Sequence, residues 1–310
     1  MPLDPDRVAA GIPAHFVMIS GSEDKQTSAD VFNVGTFDLP HTAGKAGGAC
    51  TSTLLKVINE YPGPMSWLQL LHRMRDVLKA KGFDQIPQLS ASRLLDANSR
   101  FEIVPADSAP NKKRAILIGI NYVGQNGELS GCHNDVKNIK RFLIEKQGFN
   151  EADMLILMDD GVHNNPTRKN IMDAFERITQ YSEAGDVVFV HYSGHGGRVE
   201  DVSGDEEDGF DETLIPVDFK SSGQILDDDV FATLVKPMKK DVHVTVLMDC
   251  CHSGTALDLP YEMNATDSAM HANSGFDMGM LGDPAVLAGL CLCLTCCDLG
   301  DIIELVSDFL

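Results

Sequence analysis

The sequence predicts an α/β fold, a mostly parallel central β-sheet sandwiched by α-helices. Two observations carry this. From Ala115 to Met248, short apolar runs alternate with segments of helical period, as right-handed crossovers between parallel strands require. Two of those runs, Val187 to Val190 and Val244 to Met248, end in Gly-flanked polar motifs, at the carboxyl ends where a parallel sheet collects its ligands and reactive groups.

The elements can be placed in chain order. His15 to Ser20 is an apolar strand, and helices are expected over Cys50 to Tyr61 and Ser66 to Lys81, parted by Pro62, Gly63 and Pro64. These belong to a smaller unit, residues 1–106, similar in type to the larger one. Residues 107–114, with Pro110, Asn111 and three basic residues, read as a linker. The larger unit, 115–260, opens on the strand Ala115 to Ile120. A helix from Asp135 to Lys146 sets Val136, Ile139, Phe142 and Leu143 on one face; the strand Met154 to Met158 comes next. The helix Thr167 to Tyr181 repeats the pattern with Ile171, Ala174, Phe175 and Ile178. Residues 261–310 read as a loop and one packed helix.

Composition narrows the function. With 310 residues, 43% of them apolar, the chain can bury a full core. A formal net charge of −21 argues against a nucleic-acid partner, which needs Lys and Arg on its phosphates, and favours a cationic ligand. The opening residues lack the apolar stretch of a secretory signal and nothing approaches the length of a membrane helix, so no membrane partner is expected and the expected compartment is the cytoplasm. Eight cysteines, some adjacent and four clustered at 291–297, do not read as a disulfide framework in a chain this large; reduced thiols are expected. The tail cluster reads as packing, with zinc or a lipid as the other uses considered.

The chemistry sits at the two strand ends. A thiol becomes a strong nucleophile once imidazole takes its proton. His195, after Ser193 and Gly194, is the expected base. Strand alternation places Asp249 and Cys251 on one side and Cys250 on the other, so Cys251 faces the crevice as nucleophile. The N–H groups of Gly196 and Cys251 are the expected oxyanion donors. His191 lies deeper in its strand and His252 points elsewhere. A single His or Cys at a strand end is more often a packing residue, but two such motifs after two apolar strands seldom coincide by chance.

The run Glu200 to Glu212 and the triplet Asp227, Asp228, Asp229 are dense in carboxylates near glycines. Such a set suits calcium, which takes six to eight oxygens in irregular geometry, or else forms a solvated acidic loop. The spacing is not that of an EF-hand.

At His191-Tyr192-Ser193-Gly194-His195-Gly196 and Asp249-Cys250-Cys251-His252-Ser253-Gly254 the sequence resembles caspase-like cysteine peptidases, and among them the metacaspases. Residues 112–258, including Gly119 to Tyr122 and Leu129 to Asp135, resemble the family's large catalytic unit. Residues 15–104, including Ile19 to Gly21, Asp24, Gln26 to Asp30 and Pro87 to Ser92, resemble the small-subunit-like unit that normally comes after it. Small before large is similar to the type III arrangement, and a shared sheet would tolerate it. The resemblance implies a caspase-like fold and an endopeptidase cleaving after Arg or Lys in protein or peptide substrates. The pocket residues implied are Cys132, Asp135, Ser193 and Asp249; paired carboxylates suit a guanidinium or ammonium. Asp135 equally suits the start of its helix. The resemblance further implies activation by Ca2+ held by Asp211, Asp227, Asp228 and Asp258, and a monomer. Autocleavage is a family trait for which Lys112, Lys113, Arg114 and Lys220 are basic candidates. Two other readings are a catalytically silent calcium-binding or scaffold protein of the same fold, and a legumain-like or gingipain-like peptidase.

Overall fold

Apolar strands from distant parts of the chain meet in one sheet. The computed structural model describes residues 3–21, 30–31, 47–83, 85–105, 112–200, 210–250 and 256–281. Its strands are β1 (His15–Ser20), β2 (Asp30–Val31), β3 (Gly47–Gly48), β4 (Gln88–Ala91), β5 (Lys113–Gly119), β6 (Met154–Met158) and β7 (Val187–Ser193). The later strands are β8 (Gly196–Glu200), β9 (Phe210–Leu214), β10 (Ile225–Leu226), β11 (His243–Asp249), β12 (Tyr261–Asn264) and β13 (His271–Ala272). The helices are α1 (Pro5–Gly11), α2 (Ala49–Glu60), α3 (Trp67–Ala80), α4 (Cys132–Gln147), α5 (Arg168–Tyr181), α6 (Phe219–Ser222) and α7 (Asp227–Val230).

The main sheet runs β13-β12-β4-β1-β11-β7-β5-β6. From β1 to β6 neighbouring strands are parallel, and β4, β12 and β13 add an antiparallel flank. The first and second halves therefore share one ladder at β1 and β11, where His15 pairs with His243 and Ser20 with Met248. β8, β9 and β10 form a small separate sheet beyond the end of β7.

Crossover handedness sets the layers. The chain steps outward from β5 to β6 and back over β5 to reach β7, so right-handed connections send α4 and α5 to opposite faces. α4 packs on β5 and β7 and meets α2, which lies on β11 and against α3; α5 packs on β5, β6 and the turn Phe231–Val235. The chain leaving β5 and the chain leaving β7 part to opposite faces. Such a switch opens a crevice at the carboxyl ends of the strands.

Local signals explain the helix ends. α3 begins with a capping box, Ser66 and Gln69 each bonding the other's backbone N–H, and buries Trp67, Leu70, Leu71, Met74 and Leu78 at helical spacing. Thr167 caps α5, and α4 stops at Gly148, whose φ of 67° is left-handed. No described helix is long and apolar enough to cross a membrane.

The boundaries differ from the sequence reading at four places, the first being α4, which begins at Cys132 and not at Asp135. Lys113 and Arg114 belong to β5 and not to a linker over 107–114: they pair in register with Val187 and Val188, and Arg114 is neutralised by Asp186. Residues 106–111 lie outside the described residues. The expected strand Val187 to Val190 runs on through Ser193, because β7 is central and has ladder partners on both sides. Beyond Pro260, part of the expected loop is β12, which pairs with β4 and buries Tyr261 and Met263. The helix and cysteine cluster expected further on fall in 282–310, outside the described residues.

Candidate active site

The register of the central strands builds the site. On β7 and β11 Ser193 pairs with Asp249, so the positions two beyond each, His195 and Cys251, continue neighbouring strand ends on the same side. Cys251, with His252 to Thr255, lies outside the described residues. Cys250 is 2% exposed.

His195 is held on every side. Its Nε2–H donates to the Gly127 carbonyl at 2.7 Å, its backbone N–H donates to the Tyr122 hydroxyl at 3.0 Å, and its carbonyl accepts from the Tyr192 hydroxyl at 2.7 Å. The imidazole lies 4.7 Å from the Tyr122 ring, centroid to centroid. Because a carbonyl can only accept, Nε2 carries a proton, and in the neutral ring Nδ1 keeps its lone pair. That is the tautomer a general base needs, with Nδ1 as the basic atom. Gly194 lets the chain pass close to both tyrosines: a Cβ would lie 3.0 Å from the Tyr192 hydroxyl and 3.2 Å from that of Tyr122. Gly196, expected as an oxyanion donor, comes directly after His195 and opens β8.

The rival base is disarmed by burial. His191 is fully buried and its pKa falls to about 3 by desolvation; Nε2 is hydrogen-bonded to Thr51 Oγ1 at 3.2 Å and Nδ1 has no partner among the described residues. It stays neutral at any working pH.

Three of the four expected pocket residues come together, and the fourth is one helical turn away. Ser193 Oγ donates to Asp135 Oδ2 at 2.7 Å. The same oxygen accepts the Gly48 N–H at 2.8 Å, and Asp249 Oδ2 accepts the Thr51 N–H at 2.7 Å. Asp135 and Asp249 thus share the N-terminus of α2, whose free N–H groups and dipole favour negative charge. The approach is so close that a Cβ on Gly48 would sit 2.1 Å from Asp249 Oδ2 and 2.9 Å from Asp135 Oδ2. Cys132 begins α4, three residues before Asp135, and is buried. The alternative reading of Asp135, as the residue that starts its helix, does not hold: α4 begins at Cys132 after the N-cap Gly131, and Asp135 lies within its first turn. Cys50, in the first turn of α2, is no competing nucleophile. Burial first, then the charges of Asp249 and Asp135, push its thiol well up.

Sequence reasoning missed the contributions of Gly127, Gly48 and Thr51, and quoted Tyr122 and Tyr192 without a role. The signal for Gly127 was faint: a glycine in a loop after an apolar strand, here at φ 86°. Gly48 and Thr51 come from a helix far away in sequence.

Comparison with known proteins gives the family. Residues 113–260 match the model of the metacaspase peptidase C14 domain, and residues 4–98 match that of the caspase domain. Metacaspase III c of Phaeodactylum tricornutum is 49% identical over 278 residues, covering 87% of this chain and 82% of that protein. The chain belongs to the metacaspase family. It is a cysteine-type peptidase with a caspase-like fold. Metacaspase-1A of Neurospora crassa is 49% identical over 152 residues, 48% of this chain and 34% of that protein. Metacaspase-1 of Pyricularia oryzae is 46% identical over 171 residues, 54% of this chain and 43% of that one. The chain thus spans less than half the length of these two fungal relatives.

The carboxylates expected to serve this metacaspase as calcium ligands are dispersed over several elements. Asp211 on β9, Asp227 at the start of α7, and Asp258 are buried, and Asp228 is half-buried. Asp227 accepts the Glu212 N–H at 2.8 Å. Asp229 pairs with Arg168 at 2.5 Å, and Glu212 with Arg198 at 2.6 Å. Among the described residues no three His, Cys, Asp or Glu side chains are gathered closely enough to hold a metal ion. Residues 201–209 of the acidic run lie outside the described residues.

Proposed function

We propose that this metacaspase is an endopeptidase cleaving after Arg or Lys through a His195–Cys251 dyad, with calcium as activator. The observation that carries the reading is the pairing of Ser193 with Asp249, which sets two carboxylates beside the strand ends that lead into His195 and Cys251. A guanidinium between Asp135 and Asp249 would find charge-assisted acceptors, whereas an acidic side chain would be repelled. Reaching them means displacing the Gly48 N–H from Asp135.

In the proposed reaction, His195 Nδ1 takes the proton of the Cys251 thiol and Sγ attacks the carbonyl carbon of the scissile bond. The Gly196 and Cys251 N–H groups receive the developing oxyanion. The imidazolium returns its proton to the leaving amine, leaving a thioester, and water activated by the same Nδ1 hydrolyses it. The Gly127 carbonyl accepts from Nε2–H throughout, so the ring keeps one orientation.

The described carboxylates do not form a ready-made calcium site, so no step runs through the ion. Calcium would act by drawing Asp211, Asp227, Asp228 and Asp258 into a shared shell, supplying charge and order to the segments that carry them. Hydrolysis of a fluorogenic Arg peptide tests the whole reading. Cys251→Ala is expected to abolish turnover, Cys250→Ala to leave most of it, and an Asp peptide to be spared. Equal loss in both cysteine variants would reject Cys251 as nucleophile, and full turnover in chelator would reject calcium gating.

A further inference from the structure

We propose that Asp159 is a positioning residue for the reaction: its carboxylate fixes the loop after β5 in the shape that holds the base His195. The proposal rests on the reading of His195 as the general base.

The loop Ile120–Gly131 makes two of the contacts that define His195, through the Tyr122 hydroxyl and the Gly127 carbonyl. Neither contact forms by default. Tyr122 takes a left-handed φ of 53°, a conformation that costs a bulky side chain and persists only where the surroundings impose it. What imposes it is Asp159, one residue beyond β6. Its Oδ1 accepts the Asn121 N–H at 2.8 Å and its Oδ2 the Val123 N–H at 3.0 Å, so one carboxylate grips the N–H groups of both residues flanking Tyr122. His133 Nε2–H donates to Oδ1 at 2.6 Å from α4 and completes the grip.

The rest of the loop is braced from its own residues. Asn121 Oδ1 accepts the Cys132 N–H at 3.1 Å, its carbonyl accepts from Leu129 N–H at 2.8 Å, and Glu128 accepts the Gly124 N–H at 2.9 Å. Asp160 and His163, beside Asp159, pair with each other at 2.8 Å. Burial alone would raise the Asp159 carboxyl, but the His133, Asn121 and Val123 donors outweigh it and hold the group below the usual carboxylate range. The acceptor is therefore ionised and fully engaged where the peptidase works.

An amide cannot replace it. Asn at 159 offers one acceptor oxygen and turns an NH2 toward the N–H groups of Asn121 or Val123, where two donors oppose each other. Tyr122 is then released from its left-handed turn, and His195 loses the partners of its backbone N–H and of Nε2–H.

The test uses the full chain. In Asp159→Asn, kcat on an Arg peptide is expected to fall about 100-fold with KM within about twofold, the pattern of a misaligned catalytic group. Alkylation of Cys251 by iodoacetamide at pH 7, with peptide mass mapping as the readout, is expected to slow about tenfold, since His195 no longer draws off the thiol proton. Far-UV circular dichroism unchanged from wild type assigns these losses to positioning. Tyr122→Phe removes a single oxygen and is expected to lower kcat about tenfold, which keeps the test decisive if Asp159→Asn does not fold. Wild-type kcat and wild-type Cys251 alkylation in Asp159→Asn, or wild-type kcat in Tyr122→Phe, would overturn the proposal. Failure of the wild type on the Arg peptide would instead reject the substrate reading, with Cys251 alkylation still reporting on Asp159.

Discussion

At the scale of single residues, two histidines four positions apart on the same strand end have opposite characters. His195 is half-buried, and its tautomer is set by the Gly127 carbonyl; His191 is sealed in the core, where desolvation takes its pKa to about 3. The sequence offered both within one motif, and depth along the strand was the ground for preferring His195 as base. The buried one has a cost in acid. Below pH 6.5 the unfolded chain protonates His191 and the folded chain does not, so stability is present above that pH and falls as pH drops toward 3. Between pH 6.5 and 4.5 the loss from this group is about 2 kcal/mol. Urea unfolding at the two pH values is expected to show a smaller acid loss in His191→Gln than in wild type. Equal losses would mean His191 is not buried neutral.

At the scale of elements, strands and helices with several apolar residues in period were readable, and short elements were not. β1, β6, α3 and α5 carry their own pattern, and the reading met them within one or two residues. β12 has four residues, Tyr261 to Asn264, alternating buried and half-buried beside Pro260. Such a run is too brief to separate from a loop, and its ladder partners, β4 and β13, are not announced by its own pattern. Its place in the core makes a measurable claim. Met263 is fully buried, so Met263→Ala is expected to destabilise the fold by about 2–4 kcal/mol in denaturant titration, where a loop residue would cost less than about 0.5 kcal/mol. The N-terminus of α2 is the same lesson at the site. Asp135, Ser193 and Asp249 could be named from the sequence, but the donors on Gly48 and Thr51 come from an element whose docking no local pattern announces.

At the scale of the whole molecule, the two regions named from the sequence share one sheet. β1 and β4 complete the sheet on the open side of β11, so residues 112–281 alone would expose the edge of a central apolar strand. The full chain is expected to unfold in a single cooperative transition, and the 112–281 fragment to lack one and aggregate. Two separate transitions in the full chain, or a stable fragment, would show independent domains. The order of units was legible from motifs; the shared ladder was not, since it pairs residues more than two hundred positions apart.

That pairing also orders events on the ribosome. β1 emerges early and waits for β11, and at 5–20 residues per second the interval is roughly ten to forty-five seconds. During it β1 can pair with β4 on one side, but its other edge has no mate and is a natural client for chaperones. The carboxylate pair shares this timing: Asp135 meets Asp249 only after β11 has been synthesised and laid between β1 and β7. The pocket proposed for Arg or Lys is thus the last part of the site to be assembled, once its final central strand is home.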